Sequence, residues 1–187
     1  MNDYEIELIQ KAIDGDKKAL VELIRIYETN IYTTLFYLKK DRNDLNDLAQ
    51  DVLIKLSKKI HQLKNPKYFK TWLNQIIINS YYDYLRKNKK NLINIEKNID
   101  EDVTSQIPDK KNNPQDAILY SELDYVIKTS IENLPLHYKI PIALREIQGL
   151  SYFDISQITK TSIGTVKSRI ARARSMIKNN VDKYERS

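Results

Sequence analysis

The chain has 187 residues, with 31 Lys and Arg against 25 Asp and Glu, two histidines, three glycines and no cysteine. Without thiols there are no disulfides, thiolate zinc sites or cysteine nucleophiles, and His61 and His137 lie too far apart in sequence to suggest a metal site or a Ser-His triad. Three glycines in no fixed spacing build neither a phosphate loop nor a dinucleotide fingerprint, so no catalytic residues, metal or cofactor are expected.

The length fits one ordinary domain or two small ones, and 41% hydrophobic with 30% charged residues is a globular composition. Asp3, Glu5 and Glu7 make the start of the chain unlike a signal peptide. The longest aliphatic run, Ile76-Ile77-Ile78, is far too short to span a bilayer, so no membrane insertion and a cytoplasmic location are expected.

In chain order, 3.6-residue periodicity dominates and strand signals are weak. Residues 4–13 read as an amphipathic helix with Ile6, Ile9 and Ile13 on one side, stopped and restarted at Asp14-Gly15-Asp16. A longer helix over 17–38 turns Leu20, Leu23, Ile24, Tyr27 and Ile31 inward. Asp44 is placed to cap a third helix through Ile60, whose stripe of Leu45, Leu48, Val52, Leu56 and Ile60 closes a core against the second. A loop over 63–69 holds Pro66, and a strong helix follows over 70–87.

Residues 91–117 are rich in Asn and acidic side chains, contain Pro108 and Pro114, and lack an apolar stripe, as a flexible acidic linker does. Asn113-Pro114 then suits the start of a helix running to Asn133, and Pro135 restarts the chain. The next helix is expected to end at Gly149, with a kink or a late start at Pro141. Ser151-Tyr152-Phe153-Asp154 has capping-box spacing for a short helix to Lys160, and Thr161-Ser162 turns into a last helix ending near Lys178. The fold class is therefore all-α, with two small helical domains at 1–90 and 118–187 joined by the linker.

The positive charge is unevenly placed. Residues 61–90 carry seven basic side chains against Asp83 alone, a net of +6, and residues 151–187 carry eight against three, a net of +5. Residues 91–117 between them hold three basic and six acidic side chains. Two separated basic surfaces suggest a polyanion touched at two places, although solvated helix faces would look the same by charge alone.

The last two helices form a helix-turn-helix pattern with a basic second member. On a helical wheel Val166, Ile170, Ala173 and Ile177 share one stripe and pack inward. The opposite face carries Ser168, Ala171, Arg172 and Ser175, flanked by Lys167 and Arg174 on one side and Thr165 and Arg169 on the other. Small side chains at the centre admit base edges, while long cations at the rim reach phosphates or guanine. Three of the eight arginines fall within residues 169–174, where a planar fork does what lysine does not.

In the first unit Asn79, Asp83 and Arg86 lie at i, i+4 and i+7, with Gln75 and Tyr82 alongside. Leu73, Ile77, Tyr81, Tyr84 and Leu85 occupy the core side. Asp83 with Arg86 or Lys87 is an ordinary intrahelical ion pair, stabilising by about 0.2–0.5 kcal/mol. Around this stripe Lys64, Lys67, Lys70, Lys87, Lys89 and Lys90 are interleaved with Tyr68, Phe69 and Trp72, as on a surface that tracks phosphates and stacks unpaired bases. Core packing is the expected fate of Phe69, with Trp72 the next candidate for it.

Phe69-Lys70-Thr71-Trp72-Leu73, followed by Asn79 and Asp83-Tyr84-Leu85-Arg86, resembles region 2 of bacterial RNA polymerase sigma factors of the extracytoplasmic-function type. Leu134-Pro135, Leu150-Ser151-Tyr152 and the run from Gly164 to Arg174 resemble region 4 of the same family, in the right order. The resemblance implies a promoter-specificity subunit whose partners are core polymerase, promoter DNA and, in some cases, an anti-sigma factor. Region 2 would bind the polymerase β′ clamp helices and open the −10 element. Its clamp-facing surface would be the polar side of the third helix, with Asp47, Gln50, Asp51 and Ile54. Its DNA residues would be Asn65, Lys67, Tyr68, Trp72, Gln75, Asn79, Arg86 and Lys87. Region 4 would bind the β flap and place Thr165, Lys167, Ser168, Arg169, Ala171, Arg172 and Arg174 at the −35 element. Ser156 stands where that family often has Ala, and Thr159-Lys160 where it often has Leu-Gly, so the turn is unusually polar.

The alternative is a stand-alone helix-turn-helix regulator with an N-terminal helical interaction domain. The Trp72, Asn79 and Arg86 constellation favours the sigma factor, because such a regulator has no need to engage single strands.

Overall fold

The computed structural model describes residues 2–39, 44–96 and 122–185. In the first unit the helices are α1 (Asp3–Ile13), α2 (Lys17–Leu38), α3 (Leu45–Lys59) and α4 (Phe69–Glu96), with 3-10 turns at Ile60–Gln62 and Pro66–Tyr68. The Asn2 side chain caps α1 by accepting from the Glu5 amide at 2.8 Å, and Asp16 caps α2 through the amides of Lys18 and Ala19. Gly15 joins them at φ +97°, a backbone conformation that a Cβ resists. The expected cap at Asp44 is not formed. That residue sits at φ +60° and its side chain bonds no amide of α3, because a left-handed backbone turns the carboxylate away from the helix N-terminus.

The first core follows the expected stripes. Leu23, Ile31, Leu35 and Leu38 of α2 meet Val52 and Leu56 of α3 and Phe69, Leu73 and Ile77 of α4, all fully enclosed. Two phenols end in this core with their oxygens satisfied. Tyr27 donates to the Glu5 carboxylate, and Tyr81 donates to the Leu38 carbonyl at 2.7 Å. Burial pushes the Tyr81 phenol up to about 12. Helix α4 passes its expected end at Lys87 and runs six residues into the expected linker, because Asn88 to Glu96 contain no proline or glycine to stop it. The remaining linker residues and the Asn113-Pro114 start lie outside the described residues.

The second unit comprises α5 (Glu122–Glu132), α6 (Leu136–Glu146), α7 (Tyr152–Thr159) and α8 (Ile163–Glu185). Pro135 precedes α6 as expected, but Pro141 does not delay the start and lies buried inside the helix. It removes the donor that the His137 carbonyl would otherwise receive, and burial of Ile140, Ile142, Ala143 and Leu144 around it holds the helix through the defect. Gly149 has φ +65°, as a chain leaving a helix requires. Ser151 caps α7 through the Asp154 amide at 3.1 Å and donates its hydroxyl to the Asp154 carboxylate at 2.5 Å.

The polar turn between α7 and α8 is satisfied internally. The buried Ser156 hydroxyl donates to the Phe153 carbonyl at 2.6 Å, and the Thr159 and Thr161 hydroxyls pair at 2.9 Å. Lys160 takes a left-handed conformation at φ +53°, the position a glycine fills without strain, at a cost of about 1–2 kcal/mol. Ser162 then caps α8 through the Thr165 amide. Helix α8 extends seven residues past its expected end at Lys178, because no breaker lies between Asn179 and Glu185.

The two units are packed together, which periodicity alone does not foretell. Helix α2 lies against α5 and α6, and α4 lies against α7. Thr71 donates its hydroxyl to Asp154 at 2.9 Å, Gln148 donates to the fully buried Thr34 hydroxyl, and buried Lys139 reaches the Glu132 carbonyl at 2.6 Å and the Leu38 carbonyl at 3.5 Å. Beyond the expected core side, Asn74, Ile76 and Ile78 of α4 are enclosed as well, and Ser80 is enclosed beside Lys55 of α3. One turn on from Thr71, the buried Asn74 carbonyl oxygen has no hydrogen-bond partner. Such an orphan costs about 1–3 kcal/mol. No helix among the described residues is long and apolar enough to cross a membrane.

Candidate nucleic-acid and polymerase interfaces

Helix α8 presents the surface its sequence promised. Val166, Ile170 and Ala173 are enclosed against α6 and α7, and Ile177 is partly buried beside them. On the opposite face Ser168, Ala171, Arg172 and Ser175 are exposed, with Lys167 and Arg174 exposed on one flank and Thr165 and Arg169 partly covered on the other. Among the described residues neither Arg169 nor Arg172 is in an ion pair, so both forks remain open to a ligand. Arg174 differs, donating from Nε at 3.1 Å and Nη2 at 2.6 Å to Glu146 of α6. The Glu146 hydrogen bond raises the Arg174 pKa. Tyr152 lies under the Arg145 guanidinium at 4.8 Å and the Lys167 ammonium at 5.8 Å. Glu146 and Tyr152 thus set one flank of the helix, and single-sequence periodicity carried no sign of either.

The second surface is built on α4 and the turn before it. Asn65 accepts from the Lys67 amide at 2.9 Å and so shapes the Pro66–Tyr68 turn, leaving Lys67 and Tyr68 exposed. Phe69 is enclosed, edge-on to Tyr27 with ring centroids 4.9 Å apart, and props the partly buried Trp72 ring at 5.9 Å. Along the helix the Gln75 amide donates to Asn79 at 3.1 Å, and Asn79, Tyr82, Arg86 and Lys87 are exposed. Burial raises the Tyr82 phenol pKa, partly opposed by the positive charge of Arg169 across the seam.

The third surface is α3, where Asp47, Gln50 and Ile54 are exposed and Asp51 is half-buried. Lys55, which sequence patterning did not single out, joins it to α4. Its ammonium lies 2.8 Å from Asp51, 2.9 Å from the buried Ser80 hydroxyl and 3.5 Å from Asp83, whose other oxygen pairs with Arg86. The i, i+4 spacing to Asp51 was visible in the sequence, but the reach across to α4 was not. Burial pushes the Asp83 carboxyl up, yet Arg86 and Lys55 outweigh it and hold the group below its ordinary value. Its share of stability is therefore present above the unfolded pKa and lost as pH falls through the folded one. An open cleft of about 690 Å³ bordered by Lys55, Lys59, Asn79, Tyr82 and Arg86 lies on one side of this bridge. A groove bordered by Asp47, Asp51, Lys55, Asp83 and Lys87 lies on the other. Among the described residues no cluster of His, Asp and Glu is arranged to hold a metal ion.

Residues 23–91 match the family described as Sigma-70 region 2, and residues 126–177 match Sigma-70, region 4. The chain is 36% identical over 178 residues to the ECF RNA polymerase sigma-E factor of Haemophilus influenzae, covering 93% of each chain. It is 31% identical over 176 residues to the ECF RNA polymerase sigma factor SigW of Bacillus subtilis, covering 92% of this chain and 94% of that one. In fold it resembles the sigma factor RpoE of Bartonella quintana solved with the anti-sigma factor NepR, at a TM-score of 0.69 and 23% identity over 88% of this chain and 98% of that one. CnrH solved with the cytosolic domain of CnrY gives a TM-score of 0.67 at 18% identity over 97% and 99%.

Proposed function

This chain belongs to the sigma-70 family of RNA polymerase sigma factors, in its extracytoplasmic-function branch, and we propose that its two DNA-reading units open the −10 element through α4 and read the −35 element through α8. As a sigma factor it catalyses no reaction itself and directs core polymerase to initiate transcription at promoters. The exposed stripe of α3, Asp47, Gln50 and Ile54 with Asp51 beside them, meets the β′ clamp helices, and the second unit meets the β flap. Asn65, Lys67 and Tyr68 with Trp72, Gln75, Asn79, Arg86 and Lys87 hold the unpaired −10 strand by stacking and phosphate contact. Thr165, Lys167, Ser168, Arg169, Ala171, Arg172 and Arg174 enter the −35 major groove. An anti-sigma factor is a further partner, as it is for the sigma factor RpoE that this chain resembles in fold, and the site of action is the cytoplasm.

The two promoter elements impose a geometric demand on the seam. Elements roughly 25 base pairs apart lie roughly 85 Å apart along B-DNA at about 3.4 Å per step. Thr71 of α4 is hydrogen-bonded to Asp154 of α7 at 2.9 Å and α7 packs on α8, so the packed arrangement cannot serve both elements at once. The units therefore separate when both are read. The side-chain hydrogen bonds across the seam, from Thr71 to Asp154 and from Gln148 to Thr34, suit a contact that parts.

The observation that carries the −35 assignment is the division of α8, with Val166, Ile170 and Ala173 enclosed and the small residues and open arginine forks facing out. Arg172→Ala is expected to weaken −35 binding by about 1–3 kcal/mol and to relax base preference at one position. Titrating the holoenzyme against a panel of −35 variants checks this. An unchanged base preference refutes the assignment to Arg172.

A further inference from the structure

Lys55 of α3 touches both the α3 stripe and the α4 stripe. It bridges Asp51 at 2.8 Å to Ser80 at 2.9 Å and Asp83 at 3.5 Å, and Asp83 in turn holds Arg86. The chain Asp51, Lys55, Asp83, Arg86 thus runs from the groove beside Asp47 to the cleft beside Asn79 and Tyr82. The Lys55 side chain is 29% exposed, while those of Asp51 and Asp83 are about half exposed, so the cation is the fixed member and the carboxylates are the ones that respond.

We propose that Lys55 is a positioning residue that couples polymerase binding at α3 to the presentation of Arg86 to the unpaired strand, an inference that rests on the assignment of α3 and α4 above. Asp51 and Asp83 compete for one ammonium. When a cationic group of the polymerase takes Asp51, Lys55 loses that partner and pairs more fully with Asp83. Asp83 is then a weaker acceptor for Arg86, whose guanidinium is released toward phosphate. Binding at one face thereby strengthens binding at the other, and by linkage the reverse holds equally. Without Lys55 the carboxylate of Asp83 answers only to Arg86, whatever happens at Asp51.

The test measures binding of a fluorescent single-stranded −10 oligonucleotide to the full chain, alone and with saturating core polymerase. Saturation makes the ratio of the two affinities independent of how tightly core itself binds. The unaltered chain is expected to bind the oligonucleotide more tightly with core, and Lys55→Met to lose about tenfold of that enhancement. Lys55→Arg, which keeps the charge, is expected to restore most of it. Circular dichroism of each variant establishes that it is folded. An enhancement in folded Lys55→Met equal to that of the parent overturns the role of Lys55. Loss of the enhancement that Lys55→Arg fails to restore overturns it too, since charge is then not what matters. Failure of the underlying assignment reads differently, because Gln50→Ala would then leave core affinity unchanged.

Discussion

Transcription directed by a chain cross-linked across the seam is expected to fall to the level of the uncross-linked fraction, and to recover when the link is cut. The protein has no cysteine, so Thr71→Cys with Asp154→Cys introduces a single reactive pair where a 2.9 Å hydrogen bond now stands. A disulfide or short reversible bis-thiol link there ties α4 to α7 and, through the turn at Lys160, to α8. The linked chain still exposes Asp47, Gln50 and Ile54, so it retains the means to meet core polymerase. What it loses is the ability to place its two units on elements roughly 85 Å apart. Each single-cysteine variant controls for loss of the Thr71–Asp154 bond itself. Full activity of the completely linked chain would mean that the units read promoters while packed, and the geometric argument would fail.

Phe69→Ala is expected to destabilise the chain by about 3–5 kcal/mol, a large part of the total stability of about 5–15 kcal/mol usual for a domain. The ring is fully enclosed, and its edge-to-face contact with Tyr27 is of a kind that adds about 0.5–1.5 kcal/mol beyond burial. Truncation leaves a cavity at the point where the Pro66–Tyr68 turn enters α4. Because Phe69 also props Trp72, promoter opening is expected to suffer even at temperatures where the variant remains folded. Denaturant unfolding gives the first quantity. A loss below about 1 kcal/mol would show that the site collapses around the missing ring.

Those two effects come from different depths of the sequence. The enclosure of Phe69 was legible, because the apolar stripes of α2, α3 and α4 have clean helical spacing and hydrophobic burial decides their orientation. The division of α8 into an apolar and a basic face was legible for the same reason. Asp44 misled, because Asp before an apolar stripe is a capping signal only if its backbone is extended, and at φ +60° it is not. The lengths of α4 and α8 were understated, since charge and polarity in a tail read as loop when nothing in the sequence breaks the helix. The seam was not legible. Ile76 and Ile78, read only as part of an aliphatic run too short to span a bilayer, are both buried, although the stripe assigned to the core side did not include them. Lys55 was missed because its partners Ser80 and Asp83 lie 25 and 28 residues away on another helix.

Reconstituted initiation with core polymerase tests the central claim most directly, scored by permanganate reactivity of −10 thymines together with transcript yield. Core plus this chain is expected to make those thymines reactive and to yield transcript from a cognate promoter, with neither component sufficient alone, and Asn79→Ala is expected to reduce thymine reactivity more than closed-complex binding. A chain that binds duplex DNA tightly by itself, yet neither joins core nor renders any promoter thymine reactive, would contradict the account.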